Sequence, residues 1–127
     1  MFGGKIMPMH YNLYTRLQPI LKVRDLTAEA RFYNVLGFAV QSESDSFASV
    51  RYGEELLFGL ELELALSVGG PPAFVWQIGV QSVRAIHEIA MHAQLPLVEN
   101  PMLQPWGEWT IKLKSPDGHT VIFEGGE

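Results

Sequence analysis

Hydrophobic and polar positions follow the same order of elements twice along the chain. A short apolar strand with a polar turn, residues 20–26, has a second copy in residues 77–83, displaced by 57 residues. Each copy is followed by an amphipathic helical stretch and then by three candidate strands. A repeat of this kind is typical of a duplicated supersecondary unit. The pattern therefore predicts an α+β fold made of two βαβββ modules.

Capping residues mark the ends of both predicted helices. Asp25 or Thr27 is the expected N-cap of the first helix, and Gly37 follows its last turn as a C′ glycine. Ser82 is the expected N-cap of the second helix, and Pro96 stops it. The predicted buried positions are Leu26, Ala30, Phe32, Tyr33 and Leu36 in the first helix, and Val83, Ile86, Ile89, Ala90 and Ala93 in the second.

Three alternating or apolar stretches complete each half, separated by turns rich in Gly, Ser, Asp and Pro. The predicted strands are residues 38–43, 47–52 and 55–62 in the first half, and residues 97–99, 108–114 and 120–124 in the second.

The expected organisation is a single domain over residues 16–127, preceded by a leader over residues 1–15. The first module covers residues 16–66 and the second covers residues 74–127, with a Gly- and Pro-containing linker over residues 67–73. A chain of 127 residues is long enough for one core and too short for two ordinary domains.

Composition narrows the classes of function. The net charge is −5 with scattered Lys and Arg, which disfavours nucleic acids and anionic membranes as partners. The absence of cysteine excludes thiol catalysis and disulfides. The first residues do not resemble a signal peptide, and no run of eighteen apolar residues occurs, so we expect a cytoplasmic location.

Two groups of motifs carry a family resemblance. LKVRDL (21–26) and RFYNVLGF (31–38) resemble the opening of proteins in the glyoxalase, bleomycin-resistance and extradiol-dioxygenase superfamily. WGEW (106–109), SPDGH (115–119) and VIFE (121–124) resemble its closing stretch. The resemblance implies two modules around a concave pocket formed by curved, mixed β-sheet. It also implies a homodimer, and it does not single out one activity.

The resemblance further implies where a catalytic divalent metal would be bound. The corresponding positions here are Gln18, Leu57, Val75 and Ile122, of which only Gln18 carries a donor. Metal sites need oxygen, nitrogen or sulfur donors, so we expect a pocket with no metal and no other cofactor. A register shift of four residues would bring Glu61 to one position, which leaves a metal site of Gln18 and Glu61 as the alternative.

Without a metal, the expected pocket has an aliphatic floor, a few polar groups and aromatic rings at its sides. Lys22 could meet an anionic substrate or pair with Glu61 or Glu124, and pairing is favoured. Trp76 is expected to point toward the helices. The predicted ligand-binding residues are Gln18, Lys22, Phe47, Tyr52, Phe58, Gln77, Trp106, Trp109, Ile122 and Glu124.

The four histidines form no catalytic pattern. His87 and His92 are five residues apart, which is the wrong spacing for one helix face, while His10 lies in the leader and His119 in a turn. We expect all four to be ordinary surface residues.

Three functions fit these observations. The first is non-catalytic sequestration of a small aromatic or cationic molecule, of the bleomycin-resistance type. The second is a metal-dependent lyase, isomerase or epimerase of the glyoxalase type that uses Gln18 and Glu61. The third is a metal-independent enzyme with Glu61 or Glu124 as its base.

Overall fold

The computed structural model describes residues 17–64 and 74–127. The predicted leader (residues 1–15), which includes His10, and the predicted linker (residues 67–73) lie outside these described residues. The first half contains β1 (Ile20–Val23), α1 (Leu26–Val35), β2 (Ala39–Ser44), β3 (Phe47–Tyr52) and β4 (Glu55–Leu62). The second contains β5 (Val75–Val80), α2 (Val83–Ala93), β6 (Leu97–Leu103), β7 (Trp109–Lys114) and β8 (Thr120–Gly125). The predicted α+β fold of two βαβββ modules is confirmed.

The strands form two separate four-stranded sheets with the same topology. The order is β1-β4-β3-β2 in the first sheet and β5-β8-β7-β6 in the second. In each sheet the first strand pairs in parallel with the last, and the other pairings are antiparallel. The register sets Lys22 opposite Glu61 and Gln77 opposite Ile122. The described strands therefore provide one potential binding surface per sheet.

Local chemistry begins and ends the helices where the sequence predicts. The Asp25 carboxylate accepts a hydrogen bond from the Ala28 amide at 3.0 Å, and the Ser82 hydroxyl accepts one from Ala85 at 3.1 Å. Of the two predicted caps of α1, Asp25 is therefore the one in use. Gly37 follows α1 with φ +102°, a left-handed conformation that favours glycine.

The two helix starts are supported by different parts of the chain. In the second half, Val83 and Arg84 donate their amides to the carbonyls of Gly126 and Glu127 in the same half, each at 2.8 Å. In the first half, the turn before α1 is held by Asp117, which belongs to the second half. The first module thus depends on the second for part of its structure.

Alternation along the strands divides each sheet into a helix-side face and an open face. The helix-side faces form one core across both halves. Its fully or nearly fully buried strand residues include Leu21, Val23, Val50, Phe58, Leu60, Ile111, Leu113, Val121 and Phe123. We call the opposite surfaces the first open face, which includes Ile20, Lys22, Phe47, Gly59 and Glu61, and the second open face, which includes Val75, Gln77, Thr120, Ile122 and Glu124.

The halves meet through their helix sides. The Phe58 ring packs on Trp76 with centroids 4.3 Å apart, and Tyr33 meets Phe58 edge-on at 5.0 Å. Trp76 thus points toward the helix layer, as predicted. Since neighbouring strand residues point in opposite directions, Gln77 and Glu61 lie on faces turned away from this contact.

Strand β6 is longer than predicted, because it continues from Glu99 to Leu103. The predicted strand ends at Glu99, just before Asn100 and Pro101, and proline cannot donate a backbone hydrogen bond to a sheet. Here β6 is an edge strand, and its pairing with β7 shifts register between Glu99 and Met102. The edge position and the irregularity together accommodate Pro101. Neither helix among the described residues has the length and apolar character needed to cross a membrane.

Candidate ligand-binding site on the open faces

On the first open face, Lys22 forms an ion pair with Glu61, its opposite residue in the neighbouring strand. This is one of the two pairings expected for Lys22. Both side chains are substantially exposed, so solvent screens their attraction and the pair adds little stability. Its main effect is to neutralise the charge on this part of the face.

An aromatic ring lies beside the pair. A Cβ atom built on Gly59 would lie 2.9 Å from Cε2 of Phe47 and 3.2 Å from Nε2 of Gln18, both closer than ordinary contacts. The Phe47 ring and the Gln18 amide therefore lie over Gly59, where the missing side chain leaves room for them. Gly59 itself is buried beneath this cover. The first open face thus presents a ring and an amide next to a neutral ion pair.

On the second open face, two side chains donate hydrogen bonds to one carboxylate, that of Glu124. Gln77 Nε2 donates to Glu124 Oε1 at 2.8 Å, and Trp106 Nε1 donates to Glu124 Oε2 at 3.1 Å. A turn with Gly107 at φ +95° carries Trp106 to this position, and the Trp106 side chain remains 64% exposed. The indole is therefore oriented by a hydrogen bond while its ring is open to solvent.

A groove of about 530 Å³ borders this cluster. Among the described residues, its lining includes Glu108, Glu124 and Gly79, and no Lys or Arg. Lys112, on the same face, pairs with Glu99 at 3.2 Å. Among the described residues no cationic side chain forms an ion pair with Glu124, so the groove has a negative character that favours a cation.

The predicted residues thus fall into two sets. Gln77, Trp106 and Glu124 contact one another, with Ile122 half-buried on the same face. Gln18, Lys22 and Phe47 lie together on the first open face. The hydrogen bonds and ion pairs of these two sets each remain within one half of the chain, so the residues form two separate clusters, one on each open face.

Three predicted ligand-binding residues are located elsewhere. Phe58 is 1% exposed and belongs to the core, because it shares the helix-side face with Leu60. Trp109 packs against the same core. Tyr52 is exposed at the far end of β3, where its ring contacts Phe38. These three side chains do not belong to either open-face cluster.

The side chains at the implied metal positions do not fit a divalent ion. Leu57, Val75 and Ile122 have no donor atoms, and the alternative ligand Glu61 is engaged by Lys22. In residues 17–64 and 74–127, no group of three or more His, Asp or Glu side chains is arranged to hold a metal. The chemistry of the site is therefore that of its rings, amides and carboxylates.

A buried polar cluster joins the two halves, and the sequence pattern does not reveal it. Glu29 of α1 is 0% exposed, and its Oε1 accepts from Ser115 Oγ at 2.8 Å and from the Asp117 amide at 2.7 Å. Burial raises the pKa of Glu29 to about 7, against the hydrogen bonds from Ser115 and Asp117, which lower it. We call Glu29, Ser115, Asp117 and His119 the junction cluster.

His119 is the exception to the expectation of surface histidines. It is 1% exposed, its amide donates to Ser115 Oγ at 3.1 Å, and its Nε2 lies 3.0 Å from the Lys22 carbonyl. His87 is half-buried and His92 exposed. The expectation is wrong for His119 because the turn that carries it packs between the two halves, which sequence spacing does not show.

Solved structures of the same architecture support the fold. A bleomycin-binding protein complexed with bleomycin is 20% identical, has a TM-score of 0.70, and is matched over 90% of this chain and 100% of its own. A bleomycin resistance determinant encoded on the transposon Tn5 is 19% identical, with a TM-score of 0.72 and coverage of 90% and 99%. A glyoxalase/bleomycin resistance protein/dioxygenase family enzyme from Burkholderia phytofirmans PsJN is 19% identical, with a TM-score of 0.70 and coverage of 85% and 95%.

No protein-family model and no curated protein sequence matches the chain. The structural likenesses nevertheless agree with the resemblance carried by the sequence motifs. The chain has the fold of the glyoxalase/bleomycin-resistance/dioxygenase superfamily.

Proposed function

We propose that this protein binds and sequesters a small organic molecule with a planar aromatic part and a positive charge, without a metal and without catalysis. The observation that carries the proposal is the exposed Trp106 ring held beside the carboxylate of Glu124. A flat ring attracts aromatic and cationic groups through stacking and cation–π contacts, and a carboxylate adds charge attraction.

The surroundings of Glu124 favour the same ligand class. The groove beside it is also lined by Glu108, and by no basic residue of the described part of the chain. Lys22 and Lys112, which would repel a cation, are paired with Glu61 and Glu99. A ligand cation would therefore meet negative charge that no described side chain has neutralised.

Two copies of the chain would complete the site. One chain exposes Ile20 (48%) on the first open face and Val75 (57%) on the second. Covering such apolar surface favours association, and a twofold dimer would apply the first open face of one copy to the second open face of the other. The ligand would then lie between Phe47 of one copy and Trp106 of its mate. Sequestration of a toxic compound in the cytoplasm would confer resistance to it, as in bleomycin resistance.

Two matched probes test the ligand class. The cation 1-methylquinolinium and the neutral 1-methylnaphthalene have nearly the same shape. Their binding is measured by the quenching of tryptophan fluorescence. We expect the cation to bind about tenfold more tightly, which corresponds to about 1.4 kcal/mol. Glu124→Gln should remove this preference, and Trp106→Phe should remove most of the quenching, while Glu88→Gln on the exposed side of α2 should change neither.

If both probes bind equally, or if Glu124→Gln keeps the preference for the cation, the proposal that the ligand is positively charged and attracted by Glu124 is wrong. Failure of both probes to bind would refute the aromatic class. A change in affinity of orders of magnitude on adding a chelator or Zn²⁺ would refute the metal-independent site. Sedimentation velocity of the protein without ligand tests the dimer separately, because a monomer would refute completion of the site by a second copy.

A further inference from the structure

The proposed binding site does not use Glu29, a carboxyl group buried where the two halves meet. Two groups donate to its Oε1, and both belong to the second half, 86 and 88 residues further along the chain. Among the described residues, its Oε2 has no hydrogen-bond partner. A buried ionised carboxylate normally has a cationic partner or a full set of donors, and within residues 17–64 and 74–127 Glu29 has neither.

The charged groups around Glu29 oppose its ionisation. Asp117, in the loop packed against α1, and Asp25, at the start of α1, both raise the pKa of Glu29 through charge repulsion, although burial contributes most. On its own helix, Tyr33 follows one turn later, and burial and then the charge of Glu29 raise the pKa of Tyr33. His119 is connected to Glu29 through the Ser115 hydroxyl. The contacts therefore fit a neutral carboxyl group better than a charged one.

We propose that Glu29 is a proton-binding residue that holds the two halves together when it is neutral and loosens their junction when it ionises. This role concerns the fold itself and stands apart from the proposed binding function. Ionisation of Glu29 would also affect β1, because the Ser115–His119 turn that contacts Glu29 contacts this strand as well. His119 Nε2 lies beside the Lys22 carbonyl, and Asp117 Oδ2 accepts from the Arg24 amide at 2.7 Å.

The sign of the pH dependence follows from the raised pKa of Glu29. Below the ordinary pKa of 4.5, Glu29 is neutral in both the folded and the unfolded chain, and its contribution to folding stability is fully present. The benefit is lost as pH rises to about 7, because the unfolded chain releases this proton more readily than the folded one. From pH 5.5 to pH 8, this single group should lower the equilibrium constant for folding roughly thirtyfold.

Urea unfolding at pH 5.5 and pH 8 tests the proposal in the wild type, Glu29→Gln and Glu88→Gln. Glutamine retains an oxygen for Ser115 and Asp117 but cannot ionise, so the roughly thirtyfold difference should disappear in Glu29→Gln and persist in Glu88→Gln. Exchange of the Asp117 amide, which donates to Glu29, should accelerate with pH by more than the intrinsic exchange rate does in the wild type and in Glu88→Gln, but not in Glu29→Gln. A merely structural role would weaken Glu29→Gln equally at both pH values, and that result would overturn the proposal.

Infrared spectroscopy of the wild type decides the question if Glu29→Gln does not fold. The C=O stretch of a protonated carboxylic acid should persist at pH 6, where exposed carboxylates are ionised, and should disappear as the pH passes about 7. If no protonated carboxyl is present at pH 6, the proposal is wrong.

Discussion

Because Phe47 and Gln18 lie over Gly59, we expect Gly59→Ala to change the free energy of unfolding in opposite directions in the wild type and in a variant without the Phe47 ring. In Gly59→Ala, the new methyl group would lie 2.9 Å from Cε2 of Phe47 and 3.2 Å from Nε2 of Gln18. Both neighbours must move, and overpacking of this kind costs about 1–2 kcal/mol. The Phe47 ring is at the end of a side chain, so we expect it to swing away while the backbone of β4 stays in place.

Removing the Phe47 ring should reverse the sign of the stability change caused by Gly59→Ala. In the Phe47→Ala background, Gly59→Ala meets only the flexible Gln18 amide. Alanine restricts the unfolded chain more than glycine does, so the substitution should then stabilise by about 0.5–1 kcal/mol. Gly79→Ala is the matched control, because Gly79 lies in β5 on the second open face and a Cβ there meets nothing within 4 Å. It should stabilise by a similar amount in the wild type.

Urea unfolding of the wild type, the three single variants and the Phe47→Ala/Gly59→Ala double variant measures these differences, provided that the m-value stays constant. The decisive quantity is the coupling free energy between positions 47 and 59, for which we expect about 1.5–3 kcal/mol from the two effects above. If Gly59→Ala destabilises equally in both backgrounds, Phe47 does not lie over Gly59, and the first open face lacks the ring assigned to it.

Two further predictions concern the junction and the core. Asp117→Ala removes the acceptor for the amides of Arg24 and Asp25 and should destabilise by about 1–3 kcal/mol in urea unfolding, whereas Asp117→Asn, which keeps one oxygen, should lose less. Wild-type stability in Asp117→Ala would show that the turn before α1 does not need the second half. Phe58→Ala should destabilise by about 3–5 kcal/mol, and Tyr52→Ala by no more than about 1 kcal/mol, as judged from thermal and urea unfolding. The reverse order would contradict the assignment of Phe58 to the core and Tyr52 to the surface.

Elements whose causes are local could be predicted from the sequence. Asp25, Ser82 and Gly37 act through atoms within a few residues, so their residue types suffice to locate the helix ends. The extension of β6 past Pro101 could not be predicted in this way. It depends on β6 lying at the edge of its sheet, and strand order is a property of the whole fold.

In the candidate site too, the features with local causes could be predicted from the sequence and the others could not. Alternation correctly places Gln77 and Glu124 on one face, because side-chain direction in a strand is local. The same alternation assigns Phe58 to the face of Leu60, so aromatic character alone is a poor guide to ligand contact. The burial and the contacts of Glu29 could not be predicted from the sequence, because its polar partners are more than eighty residues away along the chain. A charged residue on the buried stripe of an amphipathic helix is the only local sign.

The unequal support of the two helix starts has a consequence for how the chain tolerates change. The turns at Gly53 and Gly118 occupy equivalent places in the two modules, and both glycines have positive φ. The Gly53 turn is exposed, while the Gly118 turn, through Asp117 and His119, is fitted to the first module as well as its own. We therefore expect insertions and substitutions to be accepted readily at the first turn and rarely at the second, so that two copies of one unit have acquired different freedom to vary.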